Sequence, residues 1–270
     1  MKNHYTIEGK NADINRLGYF EDTFDHHSLK FLQQCGLKPG LSVLDVGCGI
    51  GSITCKIADI VGKQGKVVAI DQNHERLDQA KKRARAQGIH NIEFICSDIN
   101  QYDLPHGFDF IYTRFLLMHL SIAAACIAKF YTALAKGGRL IVEDADFSGS
   151  FHYPPNAAFS EGMSLLTTTY CKTGGDPDIG LKLPCLLRQQ QFTDLKIHCY
   201  NQMTLTTPKT FLHLTLDNMR QSILAHTECS DEKLSSVIDD IDAYQADPNT
   251  LLSPVRVFQI GGLKIGRVTN

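Results

Sequence analysis

Five short apolar runs, at Ser42–Asp45, Lys66–Asp71, Ile92–Cys96, Phe108–Tyr112 and Arg139–Glu143, alternate with helical segments along residues 41–143. No other feature constrains the fold as tightly. Each run is nearly continuous in apolar residues, the pattern of a strand buried on both faces. The intervening segments carry helical stripes and helical punctuation. Ser52–Val61 sets Ile53, Ile57, Ile60 and Val61 on one side, with Gly62 as a stop. Asn73–Gln87 has a stripe of Leu77, Ala80 and Ala84 ahead of Gly88, and Ser121–Lys136 opens on a serine cap and ends at Gly137-Gly138. Strands that alternate with helices pair in parallel and carry helices on both faces. Two later strand-like runs, Thr193–Gln202 and Val255–Gly261, bring the set to seven. The expected class is α/β, a doubly wound, mostly parallel seven-stranded sheet of Rossmann-like kind.

The flanks are less regular. Residues 1–40 read as a polar lead-in followed by a helix over Phe24–Cys35, with Phe24, Leu29, Phe31 and Leu32 near one face. After Glu143 the rhythm breaks into a loop, Asp144–Pro155, then helices over Asn156–Cys171 and Leu181–Gln191. Two further helical stretches follow, Lys209–His226 and Asp231–Ala246. The predicted organisation is an N-terminal segment, 1–40, and one domain, 41–270. Cap helices at about 155–172 and 208–246 would lie over the C-terminal edge of the strands.

The chemistry concentrates where the first strand ends, in Asp45-Val-Gly-Cys-Gly-Ile-Gly51. Glycine at 47, 49 and 51 permits a tight turn and lets backbone approach a ligand where a Cβ would intrude. The N–H groups opening the next helix point into the same space with partial positive charge. Such a triplet is also an ordinary tight turn. The preceding strand, the following helix and the position at the head of an open α/β sheet favour a ligand site. The GxGxG spacing differs from the GxGxxG of dinucleotide sites, since the third glycine falls one residue early. Twenty residues after Gly51, Asp71 ends the second strand, where one carboxylate can accept from two ribose hydroxyls together.

These elements resemble the class I S-adenosylmethionine-dependent methyltransferases. The resemblance implies that the loop of Gly47, Cys48, Gly49 and Gly51 wraps the methionine portion, with Asp45 approaching its amino group. It places Asp71 on the ribose and Gln72 against the ribose or adenine edge. Ser97-Asp98-Ile99 would meet the adenine, Asp98 accepting from the amino group and the Ile99 N–H reaching a ring nitrogen. Thr113 and Arg114 would emerge where sulfonium and acceptor meet, and Tyr19-Phe20 resemble an aromatic lead-in that closes over the cofactor. The implied cofactor is S-adenosylmethionine, with S-adenosylhomocysteine as product. The resemblance covers residues 41–143 in order and fades after about residue 192.

Within that family, Arg114–Leu120 and Glu143-Asp-Ala-Asp-Phe147 are most similar to the ubiquinone/menaquinone-biosynthesis and small-molecule methyltransferase group. His119 is the candidate base, although a histidine inside Leu116-Leu-Met-His-Leu120 equally suits a packed, hydrogen-bonded position. Arg114 would contact the cofactor or an acidic acceptor, or pair with a sheet-edge carboxylate. Asp144, Asp146, His152 and Tyr153 would form a polar wall of the substrate pocket or a solvated loop. A metal is not expected, because these ligands are crowded in sequence. The Met163–Tyr170 and Phe211–Met219 helices would line an apolar acceptor pocket or serve as core.

Composition narrows the partners. A net charge of −2 supplies no broad basic field for nucleic acid or for an anionic membrane. No apolar stretch is long enough to span a bilayer, and the N-terminus lacks a signal-peptide core. Nine cysteines, with no CxxC pair, suit a reduced, cytoplasmic protein. The expected activity is methyl transfer to an O, N or C atom of a small organic molecule. An RNA or protein methyltransferase and a non-catalytic S-adenosylmethionine-binding protein are the alternatives. The acceptor and the oligomeric state stay open, a homodimer included.

Overall fold

The computed structural model describes residues 10–203 and 209–266. The first nine residues of the lead-in, and residue 208 at the start of the second cap stretch, fall outside them. The strands are β1 (Ser42–Val46), β2 (Lys66–Asp71), β3 (Ile92–Cys96), β4 (Phe108–Arg114), β5 (Leu134–Asp146), β6 (Phe151–Tyr153), β7 (Phe192–Asn201), β8 (Leu251–Ser253) and β9 (Arg256–Lys264). The helices around the first five are α1 (Lys10–Gln34), α2 (Ser52–Val61), α3 (His74–Ala86) and α4 (Ala123–Ala133). Beyond them come α5 (Ala157–Lys172), α6 (Ile179–Gln189), α7 (Phe211–Asn218), α8 (Arg220–His226) and α9 (Asp231–Ala246).

One seven-stranded sheet runs β3-β2-β1-β4-β5-β9-β7. β1 to β5 pair in parallel, and β9 is antiparallel to both of its neighbours. The order reverses between β1 and β4, so the chain leaves a crevice at the carboxyl ends of those strands, where open α/β sheets bind ligands. This is the expected doubly wound architecture.

Neighbouring residues of one strand face opposite cores. Val43 packs with Phe31, Leu32, Ile53, Ile57 and Val61 of α1 and α2, whereas Leu44 joins the larger cluster built from α4 to α9. α1 serves both clusters: Phe31 and Leu32 sit in the first, Phe20 and Phe24 in the second. Among the described residues no helix is long and apolar enough to cross a membrane.

Several expectations need correction. The first helix is 25 residues long and runs unbroken through Tyr19 and Phe20. Its buried face, Phe20, Phe24, Ser28 and Phe31 with Asp25 beside them, includes two polar residues that hid the stripe. β3 is the sheet edge, and none of its residues is fully buried. Ser121 does not cap α4, whose N-cap is Ile122. β5 begins at Leu134, before the glycine pair, with an irregular register opposite Phe108–Phe110. Gly138 is needed there because a Cβ would stand 2.9 Å from the Phe108 carbonyl oxygen. The supposed loop from 144 continues β5 to Asp146, then forms β6, which pairs with β8 in a separate two-stranded sheet.

Candidate functional site

β1 ends in a turn held from below: the Gly47 and Cys48 N–H groups both donate to the Ile70 carbonyl, at 2.8 and 3.0 Å. Gly47, Gly49 and Gly51 take φ of 76°, 55° and 74°, a region that costs a side-chain-bearing residue about 1 kcal/mol or more. Their reasons differ. A Cβ on Gly51 would lie 2.8 Å from Ala80 Cβ, so this glycine lets α2 and α3 pack closely and does not line the crevice. Gly47 and Gly49 do line it.

Asp71 organises the centre. Its Oδ2 accepts from the Gly49 N–H at 2.8 Å and its Oδ1 from the Asn73 N–H at 2.9 Å. A carboxylate offers about four acceptor positions, so each oxygen keeps one for a ligand. Asn73 in turn caps α3, accepting from the Glu75 and Arg76 N–H groups.

Three hollows meet along this edge. The first, about 560 Å³ with its mouth, is lined by Ile70, Asp71, Gln72, Ser97, Asp98, Ile99 and Asn100. A second, about 700 Å³, is lined by Arg16, Leu17, Asp45, Cys48, Gly49, Arg76 and Arg114 among others. Gly47, Asp71, Leu116 and His119 belong to both. A third, about 300 Å³, lies under the cap between Phe20, Phe115, Met118, Phe147, Tyr170 and Phe211, and again includes His119 and Arg16. His119 is thus common to all three.

The electrostatics follow from burial. Asp45 is fully enclosed; desolvation pushes its carboxyl up to about 7, against the lowering effect of the Thr54 hydroxyl that donates to it at 2.6 Å. His119 is pushed the other way, down to about 3, by burial first and then by Arg16 and Arg76. A base that weak is far from the operating range of a general base near neutrality.

Arg114 is committed to the protein. It donates to Asp25 Oδ1 at 2.8 Å and to Ser28 Oγ at 2.8 Å, both on α1. Asp25 also accepts from Lys56 at 2.7 Å and from the Ser52 hydroxyl. Burial raises the Asp25 carboxyl, but Arg114, Lys56 and Ser52 together hold it below the usual range. Behind Arg114, buried Glu143 accepts from Ser28, Tyr112 and Gln259, each at 2.9 Å. Burial still holds Glu143 above its ordinary value, against Arg114 and these donors.

Of the residues singled out in the sequence, Asp45, Gly47, Cys48, Gly49, Asp71, Gln72, Ser97, Asp98, Ile99, Arg114 and His119 converge on the crevice. Others do not. Tyr19 turns from it, packing on Phe24 and Phe211, because the helical turn presents Arg16, Leu17 and Phe20 instead. Thr113 is sealed inside β4. Asp144 is buried and accepts from the Leu117 and Met118 N–H groups, capping the short turn that carries His119. Asp146 accepts from Arg256 Nε at 2.6 Å. His152 packs on Phe159, and Tyr153 is 68% exposed. None of these four lines the three hollows, although Ala145 and Phe147 of the same segment line the third: Asp144 and Asp146 are engaged by internal partners and β6 carries His152 and Tyr153 to the second sheet. Tyr170 and Phe211 reach the third hollow from the two helices expected to line it, while Met163 does not. Arg16, Arg76, Phe115 and Leu116 were missed. Phe115, at φ +50°, follows a strand end directly, and nothing in its sequence signals that conformation.

A family model described as a methyltransferase domain matches residues 37–202. The ubiquinone/menaquinone biosynthesis C-methyltransferase UbiE of Vibrio campbellii is 33% identical over 116 residues, 42% of this chain and 45% of that protein. The match therefore spans about half the length of the curated relative. Among solved structures, the YcgJ protein of Bacillus subtilis superposes with a TM-score of 0.61 at 16% identity, covering 89% of this chain and 99% of that one. Phosphoethanolamine N-methyltransferase 2 of Haemonchus contortus, in complex with phosphomonomethylethanolamine and S-adenosylhomocysteine, gives 0.58 at 17% identity, covering 89% and 53%.

Proposed function

The chain belongs to the methyltransferase-domain family, among the class I S-adenosylmethionine-dependent enzymes, and on that premise we propose that it moves a methyl group by in-line displacement to a small organic acceptor. The observation that carries this reading is the junction at His119, where a crevice lined by Asp45, Asp71 and Asp98 shares a wall with a hollow lined by aromatic rings. The crevice suits S-adenosylmethionine in its donor set. Asp71 has acceptor positions spare for two ribose hydroxyls. Asp98 and Ile99, with Ser97 and Gln72, line the same hollow and would serve the adenine edge. Asp45 is a buried carboxyl held near neutrality that a ligand ammonium would ionise.

When bound, S-adenosylmethionine supplies a methyl on a sulfonium, whose departure as a neutral thioether, S-adenosylhomocysteine, needs no acid. The chain's own task is alignment and exclusion of water. Phe20, Phe115 and Leu116 wall the junction with apolar surface. Holding two reactants in line is worth effective molarities of about 10⁵ M or more. His119 is a wall residue in this account and Asp144 positions its turn; neither removes a proton.

A small acceptor is supported by the absence of a basic field at net charge −2. The relatives named for ubiquinone/menaquinone biosynthesis and for phosphoethanolamine methylation point the same way. The test is to incubate the protein with radiolabelled methyl donor and fractionated cell extract. Label in lipid-soluble or small polar fractions is expected; label confined to RNA or protein would overturn the small-molecule reading.

A further inference from the structure

We propose that Lys129 of α4 is a positioning residue that makes the first hollow selective for a base edge carrying an amino group. The inference rests on the S-adenosylmethionine reading and assigns a residue outside the hollow to the recognition of its base. Its basis is the turn that follows β3. Asp98 Oδ1 accepts from the Asn100 N–H at 2.9 Å, and the Asp98 carbonyl accepts from the Gln101 and Tyr102 N–H groups, each at 3.0 Å. The Ile99 carbonyl is engaged from outside the turn, by Lys129 Nζ at 2.8 Å. Asp98, Ile99 and Asn100 line the hollow, whereas Lys129 does not. Any effect of the lysine on a bound base therefore passes through this turn.

The Ile99 carbonyl and the Asn100 N–H are the two ends of one peptide group. An ammonium sits on its oxygen and a carboxylate on its hydrogen, and each strengthens the other's hydrogen bond by polarising the amide between them. The chain of contacts ends on Asp98, so the lysine fixes the rotation of that carboxylate through one peptide. Burial pushes the thiol of Cys126, also on α4, up; Lys129 draws it down and Asp98 raises it, so both charges reach one buried point. An ionised carboxylate only accepts hydrogen bonds. With Oδ1 turned to the Asn100 N–H, Oδ2 is the freer oxygen for a ligand donor. The adenine amino group is such a donor, whereas a ring carbonyl in its place would meet the carboxylate oxygen to oxygen. Without Lys129 the carboxylate can rotate away from that carbonyl, and the discrimination fades.

The test compares S-adenosylhomocysteine with its deaminated analogue, S-inosylhomocysteine, each titrated by calorimetry. In the analogue a carbonyl replaces the amino group and the adjoining ring nitrogen gains a hydrogen. The unaltered protein is expected to prefer the amino compound by about tenfold or more, the scale of one charge-assisted hydrogen bond. Lys129→Met should narrow that preference severalfold, chiefly by weakening the amino compound, and Lys129→Arg should restore it. Equal weakening of both compounds in Lys129→Met, an unchanged preference there, or no preference in the unaltered protein overturns the proposal. A cooperative heat-unfolding transition checks that Lys129→Met folds. Should it fail to fold, Lys129→Gln, which keeps a donor without the charge, takes its place and the same outcomes decide. Failure of the unaltered protein to bind S-adenosylhomocysteine at all would instead strike the methyltransferase reading.

Discussion

The crevice and the capped hollow are built on opposite principles, although they share His119. The crevice is made of hydrogen-bonding groups at the tips of adjacent parallel strands, and most of its polar residues, from Asp45 to Asn100, fall within one stretch of chain, with Arg16, Arg114 and His119 outside it. The hollow is made of rings and draws on α1, the turn after β4, α5 and α7, from Arg16 to Val255. Backbone topology alone brings the first set together, because every βα turn of a parallel sheet opens on the same edge. The second set meets only through tertiary packing. The difference teaches where each can vary: the crevice is tied to the sheet's order, whereas the hollow can be reshaped by changes in three helices without disturbing the sheet.

The latch between the two regions should give the largest effect. Asp25 and Arg114 form a buried pair that fastens α1 to β4, and removing one partner of such a pair costs about 3–5 kcal/mol by leaving the other charge uncompensated. Asp25→Ala is therefore expected to lower the urea unfolding midpoint accordingly, with little change in slope. It should also weaken S-adenosylhomocysteine binding, because Arg16 and Leu17 ride on α1. A variant as stable as the parent would show that α1 is held by its aromatic face alone, and the two regions would be less coupled than the network implies.

Next comes the centre of the crevice. Asp71→Ala should weaken S-adenosylhomocysteine at least tenfold, about 1.4 kcal/mol, through loss of charge-assisted hydrogen bonds. The side chain also supports Gly49 and Asn73, so Asp71→Asn, which keeps one carbonyl oxygen, is the companion variant. Calorimetry that finds both variants unchanged would remove the ribose role.

How much of this was legible follows the same division. β2 and β3 begin and end where the apolar runs do, and α9 matches its expected span, because each is set by local composition and flanking turn residues. Asp71 could be placed at a strand end from its apolar run, whereas Asp45 and Asp98 are singled out through the resemblance. Neither route reaches the hollow. Arg16, Phe115 and Tyr170 are far apart in sequence, and no period or motif links them. Asp144 and Asp146 misled for a physical reason: acids just past a predicted strand end read as exposed, yet β5 continues through them, and burial forces each onto an internal partner. Gly51 has the right identity in the loop but earns its place by packing against Ala80.

A smaller effect, up to about tenfold per pH unit, belongs to Asp45. Its folded pKa, about 7, lies above the ordinary carboxylate value, so the unliganded protein holds more protons than the unfolded chain between those values. The stability this group contributes is fully present below its unfolded pKa and is lost as pH rises through about 7. A ligand ammonium reverses the preference by favouring the ionised form. S-adenosylhomocysteine affinity should therefore rise from pH 5.5 towards about 7 and level off above, with Asp45→Asn flattening the profile. A profile of the parent already flat across that range would mean that the ammonium is held elsewhere in the crevice.

The smallest expected effect tests the boundary of the hollow from outside. Tyr153 lies on β6 at 68% exposure and lines none of the three hollows described above. Its neighbour His152 is instead packed between Phe159 and Tyr244, away from the acceptor chamber. Tyr153→Ser should then change stability by no more than about 0.5 kcal/mol and leave transfer of label to the small-molecule fractions within error. Should it alter that transfer severalfold, β6 must contribute to acceptor binding after all, and the chamber would extend beyond its ring of aromatic residues towards the second, smaller sheet.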